Sequence, residues 1–138
     1  MKSKLLLILA CLTLAAIGRG AEYQIIAHPG VDASSLTKAD AKNLLLGNKA
    51  RWDNGVIVRL AVLSGGKAHD DVITELTSRT PDQFDKYWKK QVFTGKGVMP
   101  ESAADDAEML TYIAKTPGSL GYISSQTEAS GVKILPVQ

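Results

Sequence analysis

Four consecutive residues carry the clearest chemistry in this chain: Ser64, Gly65, Gly66 and Lys67. They follow Val56–Leu63, a run of aliphatic and β-branched residues, and precede Ala68, Val72, Ile73 and Leu76 at helical spacing. A strand that turns straight into a helix leaves the first helical N–H groups without carbonyl partners, and the helix dipole puts partial positive charge there. Glycine has no Cβ, so an oxyanion can approach those N–H groups closely. Ser64 would add a hydroxyl and Lys67 a mobile positive charge. The functional reading is an anion cradle. The plain reading is a tight turn with a Ser or Gly cap.

Other chemistries fit less well. A nucleotide-binding P-loop needs a glycine where Ala61 stands and a Ser or Thr where Ala68 stands. Ser64, His69 and Asp70 have the types of a nucleophile, a base and an orienting group. They are close sequence neighbours, however, and no G-x-S-x-G surrounds the serine, so a small exported hydrolase ranks last among the functions considered. His28 and His69 are the only histidines, and Asp70-Asp71 beside His69 gives no metal-ligand spacing. No metal, cofactor or enzymatic reaction is expected.

The elements that must hold this turn can be read along the chain. Tyr23–Ala27 reads as a buried strand ended by His28-Pro29-Gly30. Thr37-x-x-Asp40 opens a helix with Leu36, Leu44, Leu45 and Leu46 on its apolar side and Gly47 at its end. Trp52, in a polar turn, is expected to cover the end of that helix. Val56–Leu63 is the second strand, and the helix after Ser64-Gly65-Gly66 starts with Asp70 and Asp71. Thr80-Pro81-Asp82-Gln83 opens a third helix with Phe84, Tyr87, Trp88 and Val92 as its stripe. Ser102-x-x-Asp105 is read as the cap of a fourth, which Pro117-Gly118 stops. Leu120–Ser124 and Val132–Val137 read as the last strands, with Pro136 suited to an edge. The order β-α-β-α-α-α-β-β predicts an α/β domain with a small mixed sheet flanked by about four helices.

Residues 1–20 form an address rather than part of that domain. Lys2 and Lys4 precede the apolar run Leu5–Ile17, and Gly18, Gly20 and Ala21 follow. This is the pattern of a secretory signal peptide, and the run is shorter than the roughly 20 residues that span a bilayer. Residues 21–138 are the expected single domain, periplasmic or secreted from a bacterium. Any membrane tie would come through an uncleaved leader or through lipidation of Cys11, which lies in a faint lipoprotein-like box. Cys11 is the only cysteine, so the domain has neither a disulfide nor a thiolate site. The full chain has 138 residues and a formal charge of +2. Without Lys2, Lys4 and Arg19 its 16 Lys and Arg become 13 against 14 Asp and Glu, a charge of −1. Nucleic-acid binding then has no electrostatic basis.

Several stretches together resemble one family, the phosphate-type periplasmic solute-binding proteins. Leu36-Thr37-Lys38, Leu44-Leu45-Leu46-Gly47 and Trp52-x-Asn54-Gly55 are similar to its "LT…IFLGK…W.DG" segment. Ser64-Gly65 after a hydrophobic strand resembles its "SGT" phosphate loop. Tyr87-Trp88, Phe93-Thr94-Gly95-Lys96-Gly97 and Pro100 stand where the family has Trp, Gly and Pro. Thr116-Pro117-Gly118-Ser119-Leu120-Gly121-Tyr122-Ile123 is similar to "TPGAIGYV". The resemblance runs over about residues 23–137 and implies one lobe of a type II periplasmic-binding-protein-like fold that binds an inorganic oxyanion, phosphate or sulfate, for an ABC transporter. The implied ligand residues are Ser64, Gly65, Gly66 and Lys67.

The departures lower the expected affinity. The family's opposing lobe, with its early phosphate turn, has no counterpart, and Asp32-Ala33-Ser34-Ser35 does not replace it. Gly66 stands in place of the loop Thr. The family's Arg and acidic positions before the loop are Leu60 and Val62 here. Arg59 is the further candidate, one residue out of register, and strand alternation points it to the opposite face. Each lost hydrogen bond to a charged ligand removes roughly 1.5–3 kcal/mol. Binding at about millimolar Kd, or none, is the expectation. The alternative is a periplasmic protein-interaction module that keeps the fold and uses this face for a protein partner or a second copy of itself.

Overall fold

A computed structural model describes residues 22–138. The expected signal peptide and Cys11 lie outside the described residues. The elements run β1 (Tyr23–Ala27), α1 (Lys38–Leu45), β2 (Arg59–Leu63), α2 (Lys67–Thr77), α3 (Pro81–Phe93), β3 (Glu101–Ala103), α4 (Asp106–Lys115), β4 (Ser119–Ser124) and β5 (Lys133–Ile134). The five strands form one mixed sheet in the order β3-β2-β4-β1-β5. β2 is parallel to both β3 and β4, whereas β1 is antiparallel to β4 and β5. The α/β class with a small mixed sheet and four helices is as expected.

β3 is the element the sequence reading lacks. Ser102 does not cap α4: it lies in β3, opposite Val62. Asp105 is the cap, and its side chain accepts from the Glu108 N–H at 2.8 Å. The second and last strands are also shorter than their apolar runs. Val56 and Ile57 are exposed, and only Arg51 bridges to Ile57 ahead of β2.

The helix starts follow the local code. Thr37 accepts from the Asp40 N–H at 3.0 Å. Thr80 and Gln83 exchange both capping-box bonds, with Pro81 in the first turn of α3. The end of α1 is covered from α3 rather than by Trp52. Trp88 Nε1–H donates to the Leu45 carbonyl at 3.1 Å and Tyr87 Oη–H to that of Leu46 at 2.6 Å. Trp52 is buried elsewhere, donating to the Gly118 carbonyl at 3.0 Å.

β4 is buried on both sides, and its alternation assigns the helices to opposite faces. Tyr122 meets His69 of α2. Gly121 faces α4, where a Cβ would lie 2.6 Å from Met109 Sδ. Ile26, Val72, Ile73, Ile113, Leu120 and Tyr122 are sealed in the core this creates. Its practical result is a rigid floor beneath the carboxyl end of β2.

Candidate functional site

The carboxyl end of β2 is a branching point of the topology. The chain leaves β2 through α2 and α3 to β3 on one side, then passes through α4 to β4 on the other. Crevices at such switch points, beyond the carboxyl ends of parallel strands, are the usual ligand positions of open α/β sheets. Ser64 stands there, pinned by its N–H to the Ala103 carbonyl of β3 at 2.9 Å.

Gly66 makes the turn. Its φ of 95° and ψ of 173° are open to glycine and strained for other residues, and they let the strand become helix within two residues. No side chain caps α2, and its first internal bond is Asp70 N–H to the Gly66 carbonyl at 3.0 Å. The N–H groups of Gly65, Gly66, Lys67, Ala68 and His69 bond to no described residue. Cβ atoms built on Gly65 or Gly66 would meet nothing within 4 Å. The Ser64 hydroxyl is exposed and likewise has no partner among the described residues.

A cavity of about 420 Å³ opens beside this turn. Ser64, Gly65 and His69 border it at one end, and Phe84, Trp88 and Met99 supply apolar wall. Asp70 and Asp85 also reach it, Asp85 being paired with Lys89 at 2.8 Å.

The five expected site residues do not all gather here. Ser64 and Gly65 border the cavity, and Gly66 is not among its lining residues. Lys67 Nζ instead sits 2.9 Å from Asp71 and 3.0 Å from Glu22, whose carboxylates hold its pKa above the ordinary lysine value. Its charge is balanced on the surface rather than free for the turn. Arg59 is at the other end of β2, about 17 Å of strand away from Ser64 at 3.4 Å per residue. It borders a second cavity, also about 420 Å³, with Lys96, Glu101 and Tyr112.

The sequence reading gives His69 a catalytic role only as a base for Ser64, in the alternative ranked last. It forms no hydrogen bond with Ser64, so the hydrolase alternative lacks its nucleophile–base contact. It is 8% exposed, and its Nδ1 lies 2.5 Å from the Tyr122 hydroxyl, which also accepts from the Leu63 N–H at 3.2 Å. Burial lowers its pKa, with Asp70 pulling weakly the other way. His28 accepts locally from the Gly30 N–H at 3.0 Å. Among the described residues no group of three or more His, Cys, Asp or Glu could hold a metal ion.

Several solved structures superpose on this arrangement. A protein described as a phosphate ABC transporter substrate-binding protein from Clostridium perfringens, solved with phosphate bound, matches 84% of this chain at a TM-score of 0.66 and 14% identity. PstS from Borrelia burgdorferi matches 85% at a TM-score of 0.58 and 15% identity. An ABC-type phosphate transport receptor from Vibrio cholerae matches 84% at 0.58 and 11%. The chain shares their fold. It spans less than half of each: 44%, 47% and 46% of their lengths, in that order. No protein-family model matches the chain, and no curated protein does so by sequence. Among the described residues no helix is long and apolar enough to cross a membrane.

Proposed function

We propose that this chain is an exported solute-binding-like protein of the phosphate type, working with an ABC transporter and without enzymatic activity. In this reading residues 1–20 direct it to the periplasm or out of the cell. Its site takes a small tetrahedral oxyanion, phosphate or sulfate, at the Ser64–Gly65–Gly66 turn. The observation that carries the reading is that the N–H groups of Gly65 and Gly66 bond to no described residue and that a Cβ built on either glycine would stand in open space. The fold shared with proteins described as phosphate carriers supports it. Binding is weak, at about millimolar Kd, because the donors are neutral dipoles rather than charged groups. Lys67 is occupied by Asp71 and Glu22, which weakens it further. Thermal shift with phosphate and with sulfate tests the proposal. A ligand at 100 times its Kd adds about 2.7 kcal/mol to stability. Stabilisation by either anion that is reduced in Ser64→Ala is the expected outcome. No stabilisation, or equal stabilisation in Ser64→Ala and wild type, would remove the assignment.

A second reading is an interaction module. Phe93 and Val98 are 92% and 87% exposed on the segment that leads to Met99 at the cavity wall. A protein partner or a second copy would cover them. Sedimentation decides it: a concentration-dependent dimer that Phe93→Ser dissolves supports this reading, and a monomer at all concentrations argues against self-association.

A further inference from the structure

His69 is buried, polar and unused by the reading just given. It is the third residue of α2, next to the free N–H groups, and borders the same cavity as Ser64 and Gly65. Tyr122 meets it end-on through its hydroxyl and Phe84 meets it edge-on at 6.4 Å, so the ring is held from two directions.

The hydrogen bonding fixes its proton. The Tyr122 hydroxyl accepts from the Leu63 N–H and is fully buried. Its own hydrogen has one acceptor among the described residues, His69 Nδ1. A buried hydroxyl hydrogen left without an acceptor is unfavourable, so Tyr122 donates and Nδ1 accepts. A neutral imidazole with an accepting Nδ1 carries its hydrogen on Nε2. Burial favours that neutral ring. Nε2 bonds to no described residue, yet it is not sealed off, since no buried side-chain nitrogen or oxygen lacks a partner. The cavity is the open space that His69 borders.

We infer that His69 is a ligand-holding residue, its Nε2–H donating to an oxygen of the bound anion beside the Gly65 N–H and the Ser64 hydroxyl. The inference rests on the oxyanion reading above. Tyr122 is a positioning residue: it sets the ring so that a donor, not a lone pair, faces the ligand. The charged groups around the ring are Asp70 on α2 and Asp85 on α3, the latter paired with Lys89. The donors at the turn are thus all neutral dipoles, which suits a small ligand rich in acceptor oxygens, while the Asp70 carboxylate opposes a high negative charge on it.

The test is a titration of the ¹⁵N-labelled protein with inorganic phosphate. It follows the Gly65 and Gly66 N–H signals and the two His69 ring nitrogens, read through the ring's carbon-bound protons. The free protein is expected to show a pyridine-like Nδ1 and a protonated Nε2. Phosphate is expected to move Nε2 together with the two glycine signals. His69→Leu should weaken binding about tenfold, the loss of one hydrogen bond to a charged group, while His69→Gln, which can present an N–H at the same place, should restore most of it. Tyr122→Phe should mix the tautomers in the free protein. Glycine signals that move while Nε2 stays still, with His69→Leu binding like wild type, would overturn the role of His69 and leave the oxyanion site standing. A silent titration at all four probes would overturn both.

Discussion

The two ends of β2 make an instructive pair. Each opens onto a cavity of about 420 Å³, and each has a glycine with positive φ close by: Gly66 at the Ser64 end, Gly118 at the Arg59 end. The Gly118 carbonyl accepts from Trp52 Nε1–H and from the Arg59 N–H, and a Cβ at Gly118 would lie 2.3 Å from the Ile57 carbonyl oxygen. At that glycine the space of the missing Cβ is taken by the backbone of Ile57. Gly65 and Gly66 face open space with their N–H groups unspent. A glycine whose missing Cβ makes room for the protein's own backbone is structural. One whose missing Cβ leaves polar groups open to solvent has room for something else. The same contrast separates the charges. Arg59 and Lys96 border one cavity, while the unspent N–H groups lie at the other, where the side-chain charge is negative or already balanced.

The largest effect expected from this contrast is on stability. Gly118→Ala combines a strained φ with a backbone clash and should cost about 3 kcal/mol or more. Differential scanning calorimetry should show a fall in Tm on the order of 10 °C. Gly65→Ala, which meets nothing, should unfold within a degree or two of wild type. A large loss at Gly65 would erase the distinction. Next comes ligand response. Ser64→Ala should weaken phosphate binding about tenfold, whereas Arg59→Ala should leave it within about twofold, since only the former loses a bond to the ligand. Equal losses in a phosphate titration would mean that both ends of β2 serve one site. The smallest effect is on pH dependence. Burial keeps His69 below its ordinary 6.5, so the unfolded chain takes up a proton where the native ring does not. Stability then falls as pH drops below about 6.5, and His69→Gln should flatten that slope in urea titrations. A slope unchanged in the variant would assign it to other groups.

Much of this was legible in the sequence because it is local. The Thr80–Gln83 capping box, the Thr37 cap and the strand–glycine–helix turn at Ser64 are written within a few residues each. The Lys67–Asp71 pair is at i,i+4 spacing and could have been read the same way. Glu22, its other partner, could not. β3 was hidden because Glu101-Ser102-Ala103 has no apolar pattern: it is a strand only through its pairing with β2, and it buries Ala103 alone. Trp88 was read correctly as core but not as the cap of α1, a contact with Leu45 across 43 positions. His69 shows the limit most clearly. Beside Ser64 and Asp70 it looks like a base. Tyr122, 53 positions away, occupies Nδ1 and fixes the ring as a donor on its other side.

The central claim is that the N–H groups of Gly65 and Gly66 are free to receive an anion. Isothermal titration of wild type and Gly65→Ala with phosphate tests it most directly, because the added methyl meets no other residue and so changes only the turn itself. The account predicts saturable heats at about millimolar Kd in wild type and none in a Gly65→Ala protein that remains folded. Identical heats in the two proteins would contradict it.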